Sequence, residues 1–133
     1  MTTEQKAKIV RFHSKLPSGC RSEPAGLDAI AAFEIEYGPI PEQYRWYLQE
    51  CGGGVVGSEW VDDIEELKKS HRKFKNEEGD LISSFIFGWD GGGNPILIDR
   101  TTGKVFTHDH DFGGTHIIAE SFVSFYLQKN EKN

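Results

Sequence analysis

The stretch from Phe85 to Asp111, FIFGWDGGGNPILIDRTTGKVFTHDHD, constrains the fold more than any other part of the chain. It reads as three short strands joined by glycine turns. Phe85, Phe87 and Trp89 alternate with Ile86 and Gly88, a period of two that predicts a strand carrying three aromatic rings on one face. Pro95 to Asp99 and Lys104 to His108 flank Arg100-Thr101-Thr102-Gly103, which predicts a hairpin closed by a four-residue loop. Gly103 takes the left-handed position, where the missing Cβ removes the steric cost of positive φ, and the Asp99 carboxylate caps the turn.

A loop of that length also fixes register. Asp99 then faces Lys104, Ile98 faces Val105, Leu97 faces Phe106 and Ile96 faces Thr107. The face carrying Ile96, Ile98 and Val105 has to cover a core, whereas the face carrying Leu97, Phe106, Asp99 and Lys104 is mixed and suits half exposure.

A chain of 133 residues has the size of one domain, 1–133, and folding at this size hides roughly two-thirds of the unfolded surface. No apolar run approaches a membrane span, and MTTEQKAKIV lacks the hydrophobic region of a secretory signal, so a cytoplasmic protein is expected. Cys20 and Cys51 are read as free thiols, too few for a disulfide framework. The net charge of −6 is uneven: Glu77 to Asp111 holds seven acidic and two basic residues, −5 in all. That balance disfavours nucleic acid as a direct ligand and fits a basic partner, or solubility alone.

The first half of the chain reads as helical. Ile9, Val10, His13 and Leu16 recur near helical spacing over residues 3 to 15, and Pro17-Ser18-Gly19 ends that helix. Ser22 or Glu23 ahead of Pro24 marks a second start, with Leu27, Ile30, Ala31 and Phe33 or Tyr37 as its apolar stripe down to Gly38. Pro41 suits the first turn of a third helix holding Tyr44, Tyr47, Leu48 and Cys51 on one side, stopped by Gly52-Gly53-Gly54. Val55-Val56 is a short strand. Asp62 or Asp63 caps a fourth helix with Glu65 or Glu66 three residues on, and Ile64, Leu67, His71 and Phe74 fall on one side of it. Its basic run, Lys68 to Lys75, complements the helix dipole without any nucleic acid. Glu77 to Asp80 is an acidic loop, Ile117-Ile118 a brief strand, and Phe122, Phe125 and Tyr126 mark a closing helix with Ser121 near its start.

Three groups invite a chemical reading. Cys51 precedes three glycines, but no histidine stands at a telling spacing, and a buried thiol at a helix end accounts for it. Asp90-Gly91-Gly92-Gly93-Asn94 lacks both the phosphate-loop lysine and the spaced ligands of a calcium loop, which leaves ordinary turn chemistry. His108, Asp109, His110, Asp111 and His116 form the most enzyme-like cluster, since two histidines two apart on a strand share a face and hold zinc with a third ligand. A metal-dependent hydrolase is therefore the alternative reading. Against it, no second ligand group has matching spacing, no general base stands out, and His and Asp commonly cap turns at strand ends. Trp46, Trp60 and Trp89 are core or rim aromatics, or anchors for a partner.

The order of Tyr37-Gly38-Pro39-Ile40-Pro41-Glu42-Gln43-Tyr44, Tyr47-Leu48, Gly52-Gly53-Gly54, Phe87 to Asn94, Asp99, Gly103-Lys104-Val105, His108-Asp109 and Ser121 to Leu127 resembles the SUKH superfamily. It is similar in particular to the branch of the yeast cell-wall synthesis regulator and many bacterial immunity proteins, over residues 22 to 128. Cys51 stands where that family usually has Asn, a departure at a helix cap. The resemblance implies an α+β fold with a mixed or mainly antiparallel sheet and flanking helices. It brings no catalytic residues and no cofactor, and implies that bacterial members bind a cognate toxin, frequently a nuclease. Together with the charge pattern, the expectation is a non-enzymatic protein that neutralises a cognate toxin, with no membrane or direct nucleic-acid partner. Its contact residues would be Glu77, Glu78, Asp80, Asp109 and Asp111, with Trp89 as an aromatic anchor.

Overall fold

Thr2 starts the first helix, α1 (Thr3–Ser14), through a capping box: its hydroxyl accepts from the Gln5 amide at 3.0 Å and its own amide donates to Gln5 Oε1 at 2.9 Å. The computed structural model describes residues 1–77, 83–108 and 114–131, with residues 74–77 described by backbone alone. After α1 a 3-10 turn, Ser18–Cys20, leads into a two-residue strand, β1 (Arg21–Ser22). Ser22 therefore does not start a helix. The second helix, α2 (Leu27–Tyr37), begins five residues after Ser22, behind Gly26, and ends at Gly38, φ 95°. Ser22 Oγ donates instead to Asp63 Oδ2 at 2.8 Å, tying β1 to the start of a later helix.

Helix α3 (Glu42–Glu50) follows Pro41 and buries Tyr44, Tyr47 and Leu48, with Cys51 buried at its end. Gly52 stops it at φ 109°, where a Cβ would lie 2.2 Å from the Glu23 carbonyl oxygen, so only glycine fits. Strands β2 (Gly53–Val56) and β3 (Glu59–Val61) then form a tight hairpin, the second of them unmarked by any alternation in the sequence. Asp63 and Glu66 resolve the next cap: Asp63 Oδ1 accepts from the Glu66 amide and Glu66 Oε1 from the Asp63 amide, opening α4 (Ile64–Glu77).

The second half is β4 (Ser84–Trp89), β5 (Pro95–Asp99), β6 (Val105–His108), β7 (Thr115–Ala119) and the closing helix α5 (Phe122–Glu131). The strands make one seven-stranded sheet in sequence order, antiparallel at every pairing, with helices packed on it: the α+β class. The β5–β6 register is as expected, with Ile96 on Thr107, Leu97 on Phe106 and Ile98 on Val105. Asp99 accepts from the Thr101 and Thr102 amides, and Gly103 sits at φ 79°.

The aromatic face of β4 is different from the expected one. Ile86 pairs with Leu97 but Gly88 pairs with Ile96, so Phe87 is an extra residue and the alternation slips by one. Phe85 and Phe87 enter the main core, while Trp89 lies with Ile86, Leu97 and Phe106 on the opposite face. The main core draws on each of the five helices among the described residues: Ile9, Phe33, Tyr44, Leu67 and Phe122 meet Phe85, Phe87, Ile98 and Val105. Its centre is a ring cluster in which Tyr44 contacts Phe85, Phe87 and Phe122 at centroid distances of 5.5 to 5.9 Å.

Candidate functional site

The acidic contact residues expected from the sequence fall mainly outside the described residues. Glu78, Asp80, Asp109 and Asp111 lie there, and Glu77 is the last residue of α4, described by backbone only. Trp89 is described, at the end of β4, half-buried and paired across strands with Trp60. Its indole N–H is directed at Asp62 Oδ2, 3.4 Å away, so at least its polar edge faces its own fold rather than a partner.

The two described histidines of the His108–His116 cluster do not converge. His108 pairs with Thr115 and His116 with Thr107, and adjacent positions of β6 point to opposite faces, so the two imidazoles lie on opposite sides of the sheet. His110, Asp109 and Asp111 are outside the described residues. Among the described residues no three His, Cys, Asp or Glu side chains come together as a metal would require. The Asp90 turn is spent on itself: its Oδ1 accepts from the Gly92 and Asn94 amides, each at 2.9 Å. Its slight burial would raise the carboxyl, but these bonds outweigh that and lower its pKa. Cys51 is buried, and burial pushes its thiol up to about 12, which leaves almost no thiolate near neutral pH. Cys20 and Cys51 are both unbridged.

A buried acid that sequence reasoning did not single out sits where β3 meets α4. Asp62 accepts from Ser70 Oγ at 3.0 Å and faces Trp89 Nε1, while the Tyr44 hydroxyl donates to its backbone oxygen. Burial pushes its carboxyl up to about 7; the Ser70 bond opposes the rise and the neighbouring Glu66 charge adds to it. The only sequence signal was an Asp-Asp pair at a helix start, which did not say which of the two caps and which is buried. Here Asp63 caps. Close by, the imidazole of His71 meets the Ile86 carbonyl at 2.9 Å on the stretch of β4 that β3 is too short to cover. This network holds α4 against the sheet.

A cleft of about 330 Å³ lies between the starts of α3 and α5 and the β5–β6 turn. Glu42, Asp99 and Glu120 line it together with Arg100. The Arg100 guanidinium is already engaged, donating to the Pro39 carbonyl oxygen and lying 5.1 Å over the Phe85 ring. The Gln43 side chain caps the Val123 amide at 3.0 Å, which occupies one of the free donors at the start of α5. These groups brace the turn and the two helices, and the Asp99 carboxylate is taken up by the Thr101 and Thr102 amides of its own turn.

What the surface does offer is apolar. Leu27 is 59% exposed, Ile35 88% and Ile117 64%, large side chains that folding has left in water. Among the described residues no helix is long and apolar enough to cross a membrane.

No curated protein matches the chain. The family model of the SMI1/KNR4 family (SUKH-1) matches residues 24–128, and the chain belongs to that family.

Proposed function

Starting from membership of the SMI1/KNR4 family, we propose that the protein is a non-enzymatic binding protein, an immunity protein that neutralises a cognate bacterial toxin by direct contact. The observation that carries the reading is the way the reactive side chains are used. Cys51 is sealed, His108 and His116 point to opposite faces, and Asp62 is bonded within its own fold. The same surface exposes large apolar side chains beside a net charge of −6.

The charge fits a toxin that works on nucleic acid. A nuclease needs a basic surface to hold phosphates, and an acidic protein competes for that surface and is drawn to it in solution. Glu77, Glu78, Asp80, Asp109 and Asp111 remain the proposed steering residues, with Trp89 contributing through its ring rather than its N–H. The protein would act in the cytoplasm of the producing cell, where the toxin is made.

Co-expression tests this. The reading frame immediately upstream of this chain's gene is induced in a host with and without it, and growth is followed. Protection by this chain, and not by an unrelated acidic protein of similar size, is the expected result. Unchanged killing would remove the immunity role.

A further inference from the structure

Helix α2 is apolar on two sides. Ile30 and Phe33 are buried against the core, while Leu27, Ala31 and Ile35, spaced four apart, form an exposed ridge about 12 Å long on the outward side. Ala32 lies beside it, also exposed, and no lysine or arginine occurs anywhere in α2. A solvated helix face normally carries charge at such positions, and a helix apolar all round normally has a partner on both sides. Ile35, in the last turn of α2 and 88% exposed, gains almost no burial on folding.

The charges around the ridge say what covers it. Asp28 and Glu36 are exposed along its flank, in line with Ala32. Glu34 is taken up inside the fold, by Arg45 at 3.2 Å and the Ile40 amide at 3.0 Å. A second copy docking antiparallel through this ridge would set its Glu36 beside Asp28, acid against acid, between two chains of charge −6. A basic surface with an apolar groove meets neither repulsion nor loss of solvation without return. We infer that the Leu27-Ala31-Ile35 ridge of α2 docks into an apolar groove rimmed by Lys or Arg on the partner protein. The inference rests on the binding role proposed above and adds the face through which the toxin is held: α2 supplies the desolvated anchor, and the flanking acids set the register.

The probe is the purified product of the reading frame immediately upstream, tested as the toxin domain and titrated into purified wild-type protein and three variants. Leu27→Ser/Ile35→Ser should weaken binding about tenfold or more while the melting temperature stays at the wild-type value, since both side chains are already in water. Asp28→Lys/Glu36→Lys should slow association at low salt and lose that effect at high salt. Ile117→Ser, on the far edge of the sheet, should bind as wild type does. Hydroxyl-radical footprinting of the wild-type complex needs no variant, and should show Ile35 protected and Ile117 not. If wild type binds and the Leu27/Ile35 variant binds equally well, or Ile35 stays open in the complex, the docking face is elsewhere. A free chain that is dimeric, and that this variant makes monomeric, would assign the ridge to self-association instead. If wild-type protein does not bind the toxin domain at all, the functional reading itself falls, and this inference with it.

Discussion

Two buried ionisable residues set opposite pH dependences within one network. The His71 imidazole, buried against Phe85, is lowered from 6.5 to about 4, chiefly by burial, with the Ile86 bond opposing. As pH falls from about 6.5 to about 4 the unfolded chain takes up this proton first, so His71 makes stability fall with acidification. Asp62 is raised from 3.8 to about 7, so its contribution is complete below 3.8 and lost as pH rises through about 7. In the window they share the two partly cancel, and the wild-type profile hides both. Asp62→Asn separates them: the melting temperature of the variant relative to wild type should climb between pH 4 and pH 8, and a constant difference would mean that Asp62 does not titrate there. Truncation in the main core has a larger effect. Phe87 and Ile98 are buried on the same side of the sheet, and either change to Ala should cost roughly 2 to 5 kcal/mol in denaturant unfolding, by lost burial and the cavity left behind. A change below about half a kcal/mol at both would place the core elsewhere.

Among elements, the turns respond unequally because their surroundings differ. Gly103 has open space around a Cβ, so Gly103→Ala carries only the φ penalty, about 1 kcal/mol. Gly52→Ala adds a collision with the Glu23 carbonyl to the same penalty, and should cost about 3 kcal/mol or prevent folding. Equal losses in chemical denaturation would show that packing against residues 22–23 is not what holds the end of α3. The β5–β6 hairpin was legible in the sequence because loop length and a period of two are local properties. The bulge at Phe87 was not: it is one residue of slippage, its only trace is Gly88, where a Cβ would lie 2.5 Å from the Trp60 carbonyl oxygen, and it moves Trp89 to the other face. Strand β1 is two residues long and pairs with β2 some thirty residues on, so Ser22 read as a helix start for want of any periodicity. Leu27 and Ala31 read as an inward stripe because α2 is apolar on two sides, a pattern that identifies a helix without orienting it. The burial of Asp62 depends on α4 crossing the open flank of β4, a contact no local pattern encodes.

For the whole molecule, one shared core joins the described helices to the sheet, which calls for a single cooperative transition with coincident loss of helix signal and of tryptophan fluorescence. Two separated transitions would divide the chain. The long-range field makes its own demand. Reversing Glu77, Glu78, Asp109 and Asp111 to Lys changes the formal charge from −6 by eight units, and should slow association with the toxin most at low ionic strength. Association as fast as wild type at low salt would acquit these acids of steering. The central claim is that the chain acts by occupying its partner and not by transforming it, and stoichiometry decides that. Purified protein titrated into a fixed amount of the toxin domain, with residual toxin activity followed, should abolish activity at one equivalent, with unmodified toxin recovered when the complex is dissociated in denaturant. Inactivation by a small fraction of an equivalent, growing with time and leaving the toxin cleaved or modified, would show an enzyme and contradict the account.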